Sequence, residues 1–185
     1  MKYRDDLSYE IVSSILEYDP VTGKMFWKPR TPDMFEGINR SPNHCCSIWN
    51  ANNAGKEITY KNNQGYILAA IFGKRYMVSR LAWLLIFAEW PSDEVDHVNG
   101  DKADNRISNL RLANRSQNNF NKHRPAHNTS GFKGVNFDKS KKRWRSRIVA
   151  NRKEIYLGYF DSPEDAYVAY KMAAIKYHGE YANIE

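Results

Sequence analysis

The chain has 185 residues, of which 42% are apolar and 14% aromatic, and it carries a net charge of +7. This composition supports one or two packed cores and excludes a disordered chain. The longest apolar run, residues 81–88, is much shorter than the roughly 20 residues that span a bilayer. Acidic residues near the start, Asp5 and Asp6, argue against a signal peptide, so we expect a cytoplasmic protein with no membrane partner.

The N-terminal third begins with a predicted helix over residues 11–17, where apolar side chains recur at helical spacing. A turn at Thr22-Gly23 leads into a short strand over residues 24–28. Residues 29–53 are rich in Pro, Asn, Ser and Gly without a clear period, which predicts a long loop or an insertion. Within it, His44-Cys45-Cys46 could contribute to a soft-metal site, or the two cysteines could simply be reduced thiols.

A hairpin and a buried helix follow. Two strand-like runs, residues 66–72 and 75–78, are separated by Gly73-Lys74, which predicts a tight turn. From Ser79 the sequence is apolar on almost every side of a helix, which indicates a helix that is buried on most sides.

Residues 94–121 are the most informative stretch. They contain two β-like pieces, residues 94–97 and 110–113, joined by a turn. Asn114 with Gln117 three residues later is typical of a capping box at the start of a helix. The predicted order is therefore strand, loop, strand, helix, with the helix ending near residue 121.

The residue types in this stretch suit a one-metal phosphodiester hydrolase. Such an enzyme needs a base that activates water, a group that orients the base, and hard oxygen ligands for a divalent cation. Asp96 and His97 stand on the first strand, and several amides stand on the helix.

Positive charge is concentrated further along the chain. Between Lys122 and Lys153 there are eleven Lys or Arg and a single acid, Asp138, for a local net charge of +10, so the remainder of the chain sums to −3. Positive charge concentrated in one segment creates an electrostatic field that attracts polyanions. A solvated basic face is the alternative, but aromatic and apolar residues interleave with the cations, so we expect a folded nucleic-acid-binding domain.

Three strands and a helix are predicted in this basic region. The strand candidates are residues 132–137, 144–150 and 154–160, and Asp161-Ser162-Pro163-Glu164 is a strong helix start. The helix places several alanines along one side, which lets it lie close to a sheet. We expect one face of the sheet to be covered by this helix and the other face, with its arginines, to meet DNA.

Residues 15–122 resemble the HNH (ββα-metal) endonucleases, particularly the phage and homing type. The resemblance rests on Asp96-His97-Val98-Asn99-Gly100, Asp104-Asn105-Arg106, Asn109-Leu110-Arg111 and Ser116-Gln117-Asn118-Asn119, with leader pieces at residues 18–23, 73–76 and 80–83.

The resemblance implies roles for four residues. His97 would be the general base, and Asn109 would orient its ring. Asp96 and Asn118 would bind one divalent cation, with Mg²⁺ expected and Mn²⁺ a possible substitute. Many family members have His at the third position, and a shift of one residue would make Asn119 the ligand. Asp104 and Asn105 are expected to shape the loop rather than touch the metal, and Arg106 could clamp a phosphate or brace the loop.

Residues 128–184 are similar to the plant APETALA2/ethylene-response DNA-binding domain, which is known to be attached to HNH endonucleases. The matching pieces are residues 131–135, 144–148, 156–160, 166–167 and 173–174. The resemblance implies that sheet residues contact duplex DNA. The candidates are Lys133, Arg145 and Arg147 for base contacts, Arg143 and Arg152 for phosphates, and Tyr156 for a sugar or base. Several plant arginine positions hold other residues here, so the target sequence must differ or specificity must be looser.

The predicted organisation is an α+β chain with two domains. An HNH nuclease domain (residues 1–124, with its ββα-metal core at about 90–122) and a linker (125–130) precede an APETALA2-like domain (131–185), a three-stranded antiparallel sheet on one helix. We expect a phage-encoded, metal-dependent endonuclease that acts on double-stranded DNA in a bacterial host cell, as a monomer or weak homodimer. The alternatives are a DNA-binding regulator with an inactive nuclease domain and an RNA-directed protein.

Overall fold

The computed structural model describes residues 5–37, 39–122, 124 and 128–184. The chain forms two compact units, residues 1–112 and 113–185. The mixture of helices with small antiparallel sheets confirms the predicted α+β class. Among the described helices, none is long and apolar enough to cross a membrane.

The N-terminal unit starts with helix α1 (Tyr9–Ile15), whose first turn is capped by the Ser8 hydroxyl. Strands β1 (Leu16–Tyr18) and β2 (Met25–Trp27) then pair in antiparallel fashion. The predicted strand over residues 24–28 is thereby confirmed, whereas its partner β1 was not predicted.

Helix α2 (Pro42–Asn53) lies where a loop or insertion was predicted, so that prediction was wrong for this part. Its asparagines are poor helix formers, and tertiary contacts hold it instead. The Arg30 amide donates to Asn50 Oδ1 (2.8 Å), and Asn50 Nδ2 and Cys46 Sγ both donate to the Arg30 carbonyl (2.9 and 3.1 Å). Cys45 and Cys46 are both free thiols.

The next hairpin pairs β3 (Leu68–Ile71) with β4 (Lys74–Met77) and leads into helix α3 (Val78–Phe87). The turn consists of Phe72 and Gly73, both at positive φ (47° and 74°), as a type I′ turn requires. The prediction of Gly73-Lys74 was therefore displaced by one residue. α3 packs with α1 and the strands around a core that includes Ile15, Met25 and Leu81.

Strands β5 (Glu94–His97) and β6 (Leu110–Ala113) pair, and helix α4 (Arg115–Phe120) follows directly. This confirms the predicted strand, loop, strand, helix order. The capping box is also confirmed, since Asn114 Oδ1 accepts from the Gln117 amide (3.0 Å) while Gln117 Oε1 accepts from the Asn114 amide (2.8 Å).

The boundary between the two compact units falls before α4, so this helix belongs to the C-terminal unit. The predicted domain limits placed it in the nuclease domain. Part of the predicted linker, residues 125–127, lies outside the described residues. The described remainder folds with the C-terminal unit, because Ser130 Oγ donates to the Val135 carbonyl (2.7 Å).

In the C-terminal unit, β7 (Val135–Asp138), β8 (Arg143–Ala150) and β9 (Lys153–Phe160) form an antiparallel sheet in the order β7-β8-β9. Helix α5 (Pro163–His178), capped by Ser162, covers one face. Burial alternates along β8: Ile148 packs under α5, while Arg147 and Val149 are exposed. The predicted sheet on one helix is confirmed.

Candidate active site and nucleic-acid interface

Asp96 and His97 are the last residues of β5, and both are buried, with 5% and 4% of their surface exposed. Burial lowers the pKa of the His97 imidazole below its ordinary value of 6.5, although nearby acids oppose this shift. The ring is therefore neutral at neutral pH, which is the form that can accept a proton.

The Asp96 carboxylate is held by Arg111 from the neighbouring strand β6. Arg111 Nε and Nη2 both donate to Asp96 Oδ2, at 3.0 and 2.9 Å. Two N–H donors on one carboxylate oxygen restrict the orientation of the Asp96 side chain. No role of Arg111 was predicted from the sequence, where its only signal was a charge opposite to that of Asp96 across the predicted hairpin.

The Asn105 side chain contacts the His97 imidazole. It is 2% exposed, and its Oδ1 lies 3.3 Å from His97 Nε2, while its Nδ2 donates to the Ala103 carbonyl (3.2 Å). Because an amide oxygen only accepts, His97 Nε2 must carry the hydrogen, and Nδ1 then carries the lone pair. The sequence predicted only that Asn105 shapes the loop.

Asn109 ties together the two ends of the loop between β5 and β6. Its Oδ1 accepts from the Asn99 amide (3.0 Å), and its Nδ2 donates to Asn99 Oδ1 (3.0 Å) and to the Asp104 carbonyl (2.8 Å). Asn109 does not bond to the imidazole in these contacts. It bonds to Asp104, which directly precedes Asn105, and Asn105 contacts the imidazole. The predicted role of Asn109, orienting His97, stays a prediction that would operate through this loop.

The hairpin of β1 and β2 supports the same loop. Tyr18 Oη donates to the Asn105 carbonyl (2.7 Å), and burial raises the pKa of Tyr18 to about 12, so the phenol keeps its proton. Gly23, at φ +74°, approaches so closely that a Cβ there would lie 2.4 Å from Arg106 N and 2.6 Å from Asn105 C. Only glycine fits this contact.

Arg106, which the sequence left between a phosphate clamp and a loop brace, forms an ion pair with Asp104. Its Nε donates to Asp104 Oδ1 (2.8 Å) and its Nη2 to Oδ2 (2.6 Å). These contacts agree with the loop-brace alternative and lower the pKa of Asp104 to about 2.

Asn118 and Asn119 lie on α4, in the C-terminal unit. Among the described residues, no group of three or more His, Cys, Asp or Glu side chains could hold a metal ion. The predicted ligand pair, a carboxylate and an amide oxygen, is a different donor set and suits a hard cation such as Mg²⁺. The ligand roles of Asp96 and Asn118 stay predictions.

Lys133 does not occupy an exposed sheet position, so that part of the prediction was wrong. It precedes β7 in a turn, and its Nζ donates to the carbonyls of Phe120 (2.6 Å) and Lys122 at the end of α4. Burial lowers the pKa of Lys133 to about 8.

The other candidate DNA contacts lie on the sheet or in its turns. Arg147 lies beside Tyr156, which is 56% exposed, and forms an ion pair with Glu154. Arg143 Nε donates to Asp161 Oδ1 (2.9 Å). Arg143 and Arg147 are therefore both paired with acidic residues of their own chain.

Arg145 and Arg152 complete the candidate set. Arg145 lies between Arg143 and Arg147 on β8. Its buried Nε has no hydrogen-bond partner among the described residues. Arg152 is exposed in the β8–β9 turn, at φ 62°. DNA contact by all of these residues stays a prediction.

Comparison with known families agrees with both resemblances. Residues 76–120 match the HNH endonuclease family model, and residues 130–180 match the AP2 domain model. The first match contains the β5–β6 hairpin and α4, and the second contains the three-stranded sheet and α5. No solved structure matches the chain.

Three proteins are similar to parts of this chain. "Protein 3.8" of Escherichia phage T7 is 37% identical over 60 residues, covering 32% of this chain and 50% of that protein. "Uncharacterized HNH endonuclease L560" of Acanthamoeba polyphaga mimivirus is 32% identical over 124 residues, covering 66% of this chain and 64% of that protein. "APETALA2-like protein 2" of Oryza sativa subsp. indica is 42% identical over 60 residues, covering 32% of this chain and 14% of that protein. The chain thus spans between half and two thirds of the first two relatives.

Proposed function

We propose that the chain is a metal-dependent endonuclease of the phage or homing type that hydrolyses phosphodiester bonds in duplex DNA. One observation carries this proposal: a buried His97, whose Nε2 contacts Asn105 Oδ1, stands next to an Asp96 carboxylate that accepts hydrogen bonds from Arg111. This arrangement lies inside the segment that matches the HNH endonuclease model.

His97 is the general base of the proposed reaction. With Nε2–H directed to Asn105 Oδ1, the lone pair on Nδ1 takes the proton of the attacking water. Asn109 positions the imidazole indirectly, by fixing the loop that carries Asn105. A positioned base of this kind typically contributes about 10²- to 10⁴-fold to the rate.

Asp96 and Asn118 are the proposed ligands of one divalent cation, Mg²⁺ by preference, with Mn²⁺ as a substitute. When bound, such a cation neutralises charge on the scissile phosphate and the leaving oxygen. Arg111 donates two hydrogen bonds to Asp96 Oδ2 and so restricts the orientation of this proposed ligand.

The C-terminal unit is the proposed DNA-binding part. Arg145, Arg147 and Tyr156 would contact bases or sugars from the sheet face opposite α5, and Arg143 and Arg152 would contact phosphates.

A monomer has one nuclease site and would cut one DNA strand, so a double-strand break needs a weak dimer or a second encounter. We place the protein in the cytoplasm of an infected cell, because two relatives belong to a phage and a virus.

The decisive experiment compares plasmid nicking by the unmodified protein, His97→Ala and His44→Ala, with Mg²⁺, with Mn²⁺ and with EDTA. His44 is exposed on α2 and serves as the matched control. We expect His97→Ala to lower the nicking rate by about 10²- to 10⁴-fold without changing DNA affinity.

Unchanged nicking by His97→Ala would show that His97 is not the general base. DNA binding without any cleavage would instead favour the regulator, and preference for structured RNA over duplex DNA at fixed salt would favour the RNA-directed alternative.

A further inference from the structure

The C-terminal end of α4 is held by side chains of the C-terminal unit. Lys133 Nζ donates to the carbonyls of Phe120 (2.6 Å) and Lys122, and Asn183 Nδ2 donates to the Asn121 carbonyl (2.9 Å). The last carbonyls of a helix have no partner within the helix. The three consecutive carbonyls of residues 120–122 thus accept hydrogen bonds from side chains outside the helix. Two of them bind the Lys133 ammonium group, whose positive charge complements the negative end of the helix dipole.

An aromatic stack anchors the same end to α5. The Phe120 and His178 rings lie 3.7 Å apart at an interplanar angle of only 5°. His178 is 8% exposed, and its Nε2 donates to the Val149 carbonyl of β8 (2.8 Å). The contact therefore continues from α4 through α5 to the central strand of the sheet.

Helix α4 needs this support because it is short. It has six residues, whereas isolated helices below about 12–15 residues are marginal in water. The capping box at Asn114 and Gln117 fixes only its first turn. The carbonyls at its other end accept hydrogen bonds from Lys133 and Asn183.

We propose that the C-terminal unit positions the proposed metal ligand Asn118, with Lys133, His178 and Asn183 as positioning residues that fix the end of α4. This inference rests on the proposed function, in which Asn118 binds the cation. The unit would then serve the nuclease in two ways, by binding DNA and by fixing the helix that carries a ligand.

The environment of Lys133 supports a positioning role. Its ammonium group is directed to two carbonyl oxygens of the protein, and burial lowers its pKa to about 8. The side chain is therefore mostly charged at neutral pH and already engaged, unlike a side chain extended toward solvent and phosphate. The two roles, positioning and DNA contact, predict different defects.

The test uses the full chain with Lys133→Met, Lys133→Arg and the control Lys176→Met, which removes the same charge from an exposed position of α5. Three quantities are measured: the Mg²⁺ concentration for half-maximal nicking, the DNA affinity as a function of salt, and hydrogen exchange of the amides of residues 118–122. We expect Lys133→Met to raise the half-maximal Mg²⁺ concentration roughly tenfold, the lower end of what a supporting contact contributes to a metal site. Exchange at residues 118–122 should accelerate, the salt dependence should stay unchanged, and Lys133→Arg should restore most of the loss.

Two results would overturn the inference. A weaker affinity with a salt slope reduced by about one, and an unchanged Mg²⁺ requirement, would make Lys133 a DNA contact. Unchanged exchange at residues 118–122 would show that α4 does not need the lysine. If the unmodified protein does not cleave, the proposed function fails, whereas the exchange measurement still reports separately on the helix.

Should Lys133→Met prevent folding, Asn183→Ala tests the same end of the helix by removing the bond to the Asn121 carbonyl. We expect faster exchange at residues 121–122 and a smaller rise in the Mg²⁺ requirement. No change in either quantity would overturn the role of Asn183.

Discussion

The β5–β6 hairpin and helix α4 are neighbours in sequence but are stabilised in different ways. The hairpin loop is held mainly by its own residues: Asn109 bonds to Asn99 and Asp104, ten and five positions away. The end of α4 is held by Lys133 and Asn183, which lie 13 and 62 positions beyond the carbonyls they bind. A motif that is continuous in sequence therefore depends on two folding units, and substitutions in each should produce separable defects.

The sharpest test of the hairpin side is Asn105→Ala. Loss of the amide removes the partner of His97 Nε2 and so the preference for the productive tautomer. We expect the nicking rate to fall by about 10- to 100-fold, as for other groups that orient a functional imidazole. DNA affinity and hydrogen exchange in α4 should not change. Asn63→Ala, at an exposed loop position, is the control, and a full rate in Asn105→Ala would contradict the orienting role.

A second test uses two glycines with the same backbone conformation. Gly23 and Gly55 both have φ +74°, but a Cβ on Gly23 would clash with the backbone of Asn105 and Arg106, whereas nothing lies within 4 Å of a Cβ on Gly55. We expect Gly55→Ala to lower the free energy of unfolding by about 1–2 kcal/mol, the strain of the left-handed conformation. Gly23→Ala should lower it by about 1–3 kcal/mol more, and it alone should slow nicking.

Urea unfolding and single-turnover nicking measure both effects. Equal destabilisation by the two substitutions would show that the β1–β2 turn tolerates a side chain and does not fix the loop.

The smallest expected effect lies in the C-terminal unit alone. Glu154→Gln removes the acid that pairs with Arg147 and leaves the arginine free to meet a phosphate or base. Because an exposed ion pair contributes only about 0–1 kcal/mol, we expect DNA affinity to rise by about two- to fivefold at low salt. The nicking rate at saturating DNA should not change. An unchanged or weaker affinity in a fluorescence anisotropy titration would argue against DNA contact by Arg147.

The elements that the sequence predicted well follow local rules. The capping box at Asn114 and Gln117 and the Ser162 cap before Pro163 involve residues three positions apart, so they can be recognised without the fold. Burial along β8 also follows a local rule, because neighbouring strand residues point to opposite faces.

The features that the sequence did not predict depend on distant partners. Helix α2 was missed because its stability comes from Asn50 and Cys46 bonding to the Arg30 backbone, not from an apolar period. Its one local signal was Ser41 before Pro42 at the helix start. Lys133 was assigned to an exposed sheet position because the resemblance could not reveal that its ammonium group binds α4.

The sequence by itself determined the two domain types, the strand and helix order around Asp96 and His97, and the basic character of the C-terminal sheet, since spacing and charge are properties of neighbouring residues. Only the tertiary structure decided that Asn105 faces the imidazole, that Arg111 holds Asp96, and that α4 folds with the C-terminal unit. Each of these is a hydrogen bond or stack whose partner is chosen by chain folding, because a buried polar group must find its partner wherever the backbone brings one within reach.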